Sequence, residues 1–297
     1  MPSTYLVGLI GADIQTSLSP PLHEDEAARL GLRYWYQLID IAELGLAAAD
    51  VGDLVKAAGK LGFRGLNITH PCKQEVVKYL DELSPEAAGL DAVNTVVFTN
   101  GRAIGHNTDH YGFAESFRRG LGDAPAHEVL QLGAGGAGAA VAFAIVRLGA
   151  GHLTIVDADA DRANRLADRL RARGANASAA PLDRVPELVA GSDGLVNTTP
   201  VGMEGRPGLP LDPALLRRDL WVADIVYRPL ETGLLRAARE KGCRTLNGGG
   251  MVVHQAAESL RLFTGQAPDV DAMLEDFAAR TEAARTEAPN TEAGRGK

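Results

Sequence analysis

The chain has 297 residues, a formal net charge of −8, and 45% hydrophobic and 23% charged residues. That composition suits one large or two medium globular domains. The acidic balance, with no basic stripe, argues against a nucleic-acid partner, and apolar runs that all stop short of about 18 residues argue against a membrane span. The opening "MPSTYLVGLIGADIQ" lacks the basic start and long apolar core of a signal peptide. Two cysteines, Cys72 and Cys243, form no metal-type cluster. They point to a reducing, cytoplasmic setting.

In chain order, "YLVGLI" (5–10), "YWYQLI" (34–39), "GLNIT" (65–69) and "AVNTVVF" (92–98) read as strands. The intervening "PLHEDEAARLG" and "DVGDLVKAAGKLG" carry helical spacing. A second series starts near residue 127: strand "HEVLQLG", helix "GGAGAAVAFAIVRLG", strand "HLTIVDAD", helix "DRANRLADRLRARG", then strands "DGLVNTT", "LWVADIVY" and "RTLNG". Alternation of this kind predicts an α/β fold of two units divided near Asp109 to Gly112. A helix over 250–265 has apolar residues Val252, Val253, Ala256, Leu260 and Phe263, and belongs to either unit on this pattern alone. The tail from Thr281 repeats Thr-Glu-Ala every five residues with few large apolar groups. It reads as disordered, without a catalytic role.

"VLQLGAGGAGAAV" contains Gly133-x-Gly135-x-x-Gly138, placed where a strand gives way to an Ala-rich helix. In that context the first glycine allows a tight turn, the second lets a pyrophosphate approach the backbone, and the third lets helix and strand pack closely. Gly136 and Ala137 lie at the helix start, where free N–H groups favour phosphate. Asp157 ends the next strand, 19 residues beyond Gly138. A carboxylate there binds ribose hydroxyls and repels a 2′-phosphate, which points to NAD rather than NADP. Its bland alternative is a helix cap, for which Asp159 competes. Arg162 could stack on adenine, reach a 2′-phosphate, or simply pair with a nearby acid.

The first unit carries polar groups where strands end. Ser17 and Ser19 precede a Pro-initiated helix, and two hydroxyls with helix N–H groups suit a carboxylate. Asn67 and Thr69 share one face of their strand, with Leu66 and Ile68 on the other. Pro71 suits a first helical turn, which would set Lys73 at the positive end of a helix, depress its pKa and favour proton transfer. Asn94 and Asp109 stand at further strand ends, and a Lys and an Asp so placed could form an acid–base pair around a hydroxyl.

"SLSPPLH", "GLNITHPCKQ", "DAVNT", "GHNTDHYGF", "LGAGGAGAA", "VNTTPVGM", "DIVYRPLET" and "NGGGMVVHQA" occur in this order. Together they resemble the shikimate/quinate dehydrogenases over roughly residues 5 to 280. The resemblance implies a substrate unit over 1–109, a Rossmann unit over 110–250, a helix over 251–280 returning to the first unit, and a tail over 281–297. It implies Lys73 and Asp109 as the catalytic pair, and Ser17, Ser19 and Tyr227 as partners of the substrate carboxylate. Asn67, Thr69, Asn94 and Gln255 would meet ring hydroxyls. Ile225, Gly248 and Met251 would line the nicotinamide pocket, and Thr198 in "NTTP" (197–200) would lie beside the cofactor, with no metal. NADP-dependent relatives have "NRT" followed by Arg where this chain has "VDADADR", so the chain resembles the NAD-using branch. Ser19 is shikimate-like, since quinate-preferring relatives carry Thr there. The expected activity is NAD-dependent interconversion of shikimate and 3-dehydroshikimate, or quinate and 3-dehydroquinate, by a monomer or homodimer. The alternatives are an NADP-dependent or aminoshikimate dehydrogenase, and a dinucleotide-sensing regulator without turnover.

Overall fold

The computed structural model describes residues 4–287. Its first half comprises β1 (Thr4–Gly11), α1 (Ser19–Arg29), β2 (Arg33–Asp40), α2 (Val51–Lys60), β3 (Gly65–Ile68), β4 (Glu82–Leu83), α3 (Pro85–Leu90), β5 (Thr95–Thr99), β6 (Arg102–His106) and α4 (Asp109–Leu121). The sheet order is β2-β1-β3-β5-β6-β4, with β5 antiparallel to both neighbours and the other pairs parallel. α2 buries Val51, Val55 and Ala58, the i, i+4, i+7 stripe of an amphipathic helix laid on a sheet.

The second half comprises β7 (Glu128–Leu132), α5 (Gly136–Arg147), β8 (His152–Val156), α6 (Ala160–Arg171), β9 (Ala177–Ala179), α7 (Val185–Gly191), β10 (Gly194–Asn197), β11 (Trp221–Asp224), α8 (Gly233–Glu240), β12 (Arg244–Leu246), α9 (Gly249–Thr264) and α10 (Val270–Glu287). Its sheet is wholly parallel in the order β12-β11-β10-β7-β8-β9. This is the doubly wound Rossmann order, whose reversal between β7 and β10 opens a crevice at the carboxyl ends of the strands. β10 and β11 are buried at every position, as strands covered on both faces are.

α9 leaves the second sheet and returns to the first. Its Ser259 bonds Asn67 of β3, and its Phe263 packs with Val7, Leu9 and Tyr36. α4 starts at the seam between the units. Its Phe113, Phe117 and Leu121 share a core with Val129 and Trp221 of the second sheet.

Two expectations change. No α-helix opens at Pro71. Residues 70–74 are turns leading into a 3₁₀ segment, Glu75–Tyr79. The Lys73 carbonyl accepts from Val93 N at 2.8 Å, so its backbone is held by the approach to β5 and not by a helical ladder. The dipole argument for Lys73 therefore has no basis. The tail expected from residue 281 also starts too early, because α10 continues to Glu287. Met273 and Phe277, four apart, anchor it against Leu22 and Val253. Residues 288–297 lie outside the described residues. No helix among the described residues is long and apolar enough to cross a membrane, and no group of three His, Cys, Asp or Glu among them could hold a metal ion.

Candidate active site

A cleft of about 660 Å³ opens at the carboxyl ends of both sheets, between the two halves. From the first half Ser17, Ser19, Asn67, Thr69, Lys73, Asn94 and Asp109 line it. Ala137, Thr198, Ile225, Tyr227, Met251 and Gln255 line it from the second half and α9.

Lys73 Nζ donates to Asp109 Oδ2 at 2.6 Å, and both side chains are largely buried. The other Asp109 oxygen accepts from Asn94 Nδ2 at 3.0 Å. Asp109 does not cap α4, where Thr108 stands at the N-cap; its carboxylate is left for Asn94 and Lys73. The amide orientations follow from their donors. Thr108 N donates to Asn94 Oδ1 at 2.7 Å, which turns the Asn94 amino group toward Asp109. Burial pushes the Tyr36 phenol well above its ordinary range, so its O–H donates to Asn67 Oδ1 at 2.9 Å. The Asn67 amino group then faces Thr95 Oγ1 and Ser259 Oγ at 3.2 and 3.1 Å. Ser259 in turn meets Thr108 Oγ1 at 3.1 Å, and Gln255 Oε1 accepts from Thr108 at 3.5 Å. A continuous polar network thus backs the cleft from Tyr36 to Lys73. Such networks fix orientation when every member is satisfied.

At the opposite end Ser17 Oγ accepts from Ser19 N at 3.2 Å. Leu18, not a serine, is the N-cap of α1, so neither hydroxyl makes the conventional capping bond. Tyr227 lies across the mouth, 37% exposed, with its ring 6.3 Å from that of Phe277. Beside it Arg228 Nη1 donates to the Thr16 carbonyl at 3.1 Å, joining the two walls.

The glycine loop forms the floor on the side of the second half. Gly133 has φ +100°, and a Cβ there would stand 2.7 Å from Thr198 Oγ1. A Cβ at Gly138 would meet the Gly133 carbonyl at 2.7 Å, so the loop folds tightly onto the helix start. By contrast a Cβ at Gly135 would meet nothing within 4 Å. The space above Gly135, at the N-terminus of α5, is open for a diphosphate to approach the backbone. These residues fit a dinucleotide. Thr198 donates to the Leu132 and Gly133 carbonyls, both at 2.9 Å, and couples the loop to the cleft wall. Gln131, fully buried beneath, donates to the Gly133 and Gly138 carbonyls at 2.8 and 2.9 Å, but its Oε1 has no partner. An unmet buried acceptor costs about 1–3 kcal/mol.

Asp157 accepts from Ala134 N at 2.6 Å and Asp159 N at 2.8 Å, so it braces the loop from the end of β8. Asp159 is the N-cap of α6, which settles the competition for that role. Arg162 lies 3.8 Å from Asp157 and 3.6 Å from Asp159, a loose pairing with both acids. Gly248 does not line the cleft. It stands behind Ile225, where a Cβ would meet the Ile225 carbonyl at 2.2 Å, and so lets that loop pack inward.

Several members of the site carried no separate signal in the sequence. Ser259, Thr108, Thr95 and Tyr36 complete the network, and Arg228 bridges the walls. Asp224 is buried at the end of β11, and desolvation raises its pKa. It accepts from Asn197 Nδ2 at 2.9 Å, Val226 N at 3.1 Å and Thr232 Oγ1 at 2.8 Å, tying together the loops after β10 and β11. Its place in "DIVYRPLET" was the available clue.

Comparison with known proteins agrees with this geometry. Residues 9–96 match a model described as the shikimate dehydrogenase substrate binding domain, and residues 248–275 match the shikimate 5′-dehydrogenase C-terminal domain. A Streptomyces avermitilis protein named shikimate dehydrogenase (NADP(+)) is 60% identical over 277 residues, covering 93% of this chain and 95% of its own. A Corynebacterium glutamicum protein named quinate/shikimate dehydrogenase (NAD(+)) is 45% identical, covering 93% and 99%. The solved quinate dehydrogenase from Corynebacterium glutamicum in complex with NAD superposes with a TM-score of 0.88 at 44% identity, covering 93% and 99%.

Proposed function

From the premise that the chain belongs to the shikimate/quinate dehydrogenase family, and is an oxidoreductase of that kind, we propose that it oxidises both shikimate and quinate at C3 with NAD⁺, giving 3-dehydroshikimate and 3-dehydroquinate reversibly. The observation that carries the reading is the Lys73–Asp109 pair, 2.6 Å apart, facing one cleft with hydroxyl and amide groups on one side and the glycine loop on the other.

Ser17, Ser19 and Tyr227 hold the substrate carboxylate at the mouth, while Asn67, Thr69, Asn94 and Gln255 meet the ring hydroxyls. This places the C3 hydroxyl at Lys73. The amine form of Lys73 takes the hydroxyl proton during oxidation, and its ammonium form returns a proton during reduction. Asp109, kept in position by Asn94, holds Nζ in place and offsets the charge that Lys73 gains. Positioned proton transfer of this kind contributes typically ~10²–10⁴-fold. When bound, a nicotinamide dinucleotide supplies the acceptor for the hydride from C3. Gly133, Gly135, Gly136, Ala137 and Gly138 would hold its diphosphate, and Thr198, Ile225 and Met251 would flank its nicotinamide.

The preference for NAD rests on Asp157, Asp159 and Asp161, three acids at the edge where an adenosine ribose would sit. A 2′-phosphate carrying about −1.5 to −2 charge would meet them unfavourably. The name of the Streptomyces relative and the nearby Arg162 and Arg165 favour a second reading, NADP dependence. Steady-state kinetics with both acids against NAD⁺ and NADP⁺ separate the two. A higher kcat/KM with NADP⁺ overturns the NAD assignment, and no oxidation of either acid overturns the activity.

A further inference from the structure

Gln131 presents a puzzle that the proposed chemistry does not use. It lies in the middle of the second sheet, in register with Ile155 and Val196, and is wholly buried. An apolar side chain is the usual occupant of such a strand. Its amide nitrogen makes two bonds, to the Gly133 and Gly138 carbonyls, and its amide oxygen makes none.

Neither carbonyl depends on Gln131 for a partner. Gly133 O also accepts from Thr198 Oγ1, and Gly138 O lies in the first turn of α5, where the helical ladder supplies a donor. The Gln131 nitrogen thus adds no needed satisfaction. It adds position, because one rigid amide fixes the two carbonyls that bracket the loop at a set separation. With those carbonyls held inward, Gly135, Gly136 and Ala137 keep the N–H groups at the start of α5 turned to the open side, while Asp157 holds the Ala134 N–H. An anion-binding loop works best when its N–H groups need no rearrangement on binding.

We propose that Gln131 is a positioning residue for the cofactor: it preorganises the glycine loop for the diphosphate of a bound dinucleotide and holds its place in the core for that reason. The inference rests on the reading of the loop as a dinucleotide site. It does not depend on which acid is oxidised.

The test uses Gln131→Met, which keeps the length and removes the donors, and Gln131→Leu as a second apolar replacement. Binding of NAD⁺ and of ADP-ribose is measured by calorimetry, with thermal unfolding of the free protein and steady-state kinetics alongside. The Kd of both ligands should rise about tenfold, the order of one net hydrogen bond, while the melting temperature stays level or rises. At saturating NAD⁺, kcat and the KM of the acid should stay within about twofold. Unchanged ligand affinity in both variants overturns the proposal. So does a fall in melting temperature accompanied by equal losses in acid and nucleotide binding, and so does failure of the parent protein to bind either ligand. Nucleotide binding without oxidation of either acid defeats the proposed function and leaves this inference standing.

Discussion

Lys73 Nζ and Asp109 Oδ2 stand 2.6 Å apart, and Asn94 occupies the other Asp109 oxygen. The carboxylate is thus committed on both sides. It orients the lysine instead of acting as an independent acid on substrate. Lys73→Met should lower kcat by ~10²–10⁴-fold for either acid and leave NAD⁺ affinity unchanged. Asp109→Asn keeps the shape but loses the charge, and should fall in the same range. Asn94→Ala, which frees Asp109 to rotate, should cost less than either. Single-turnover rates with calorimetric NAD⁺ affinities check this order. A Lys73 variant with near-normal kcat would remove the pair from the chemistry.

Asp157 gives the cofactor prediction. Its carboxylate already holds two backbone N–H groups, so it stands fixed at the edge proposed for the ribose. Hydrogen bonds to a charged group are worth about 1.5–3 kcal/mol, and Asp157→Asn should lower kcat/KM with NAD⁺ roughly tenfold or more. NADP⁺ should lose less, because the same change removes a repulsion. The ratio of the two specificity constants, measured before and after substitution, is the readout. A ratio that does not move assigns the choice to Arg162 and Arg165.

The glycine loop and Asp157 were legible because their chemistry is local: a strand, a turn and a helix start occupy adjacent residues. The two α/β units followed from the alternation of strands and helices, and the return of α9 from the resemblance. Lys73 was found on partly wrong grounds, because Pro71 mimics a helix start while the backbone there bonds to Val93. Tyr36, Thr108 and Ser259 were not legible, since their role depends on three elements meeting at hydrogen-bond distance. Ser and Thr occur too widely to signal this. The helical run from Thr281 to Glu287 was misread for a different reason. Its polar repeat hides an anchor formed by Met273 and Phe277 in the preceding turns.

His23 predicts an acid-sensitive fold. Burial without a charged partner lowers its pKa from 6.5 to about 3, and its Nδ1 lies 3.0 Å from Tyr34 OH. The unfolded chain binds a proton below about pH 6.5, whereas the folded chain refuses it until near pH 3. The stability is therefore fully present above the unfolded value and is lost as pH falls through this window. Between pH 7.5 and 5.0 the parent should lose about 2 kcal/mol more than His23→Phe, whose ring cannot be protonated. At neutral pH the variant should be the less stable by about 1 kcal/mol, for the lost bond to Tyr34. His106, His110 and His254 also have lowered values from burial, and they cancel in the comparison. Urea midpoints at the two pH values suffice, and parallel shifts in both proteins would exclude His23 as the cause.

Arg228 supplies a direct bond between the two walls of the cleft. Its Nη1 donates to the Thr16 carbonyl at 3.1 Å, one residue before Ser17, while its own carbonyl accepts from Glu204 N at 2.8 Å. Its Nε is 3.6 Å from the exposed Glu204 carboxylate, a pairing that solvent weakens. The end of the cleft that carries Ser17 is therefore held against the loops after β10 and β11, and a cation stands next to the place proposed for the substrate anion. Arg228→Met should raise the KM of shikimate and quinate about fivefold, corresponding to ~1 kcal/mol at a partly exposed site, with smaller effects on kcat and on NAD⁺ affinity. The parent kcat/KM should also fall with added salt more steeply than that of the variant, since screening acts on the attraction that the substitution removes. Arg228→Lys separates the two contributions. It keeps the charge and loses the guanidinium geometry, so it should retain the salt dependence while recovering only part of the affinity.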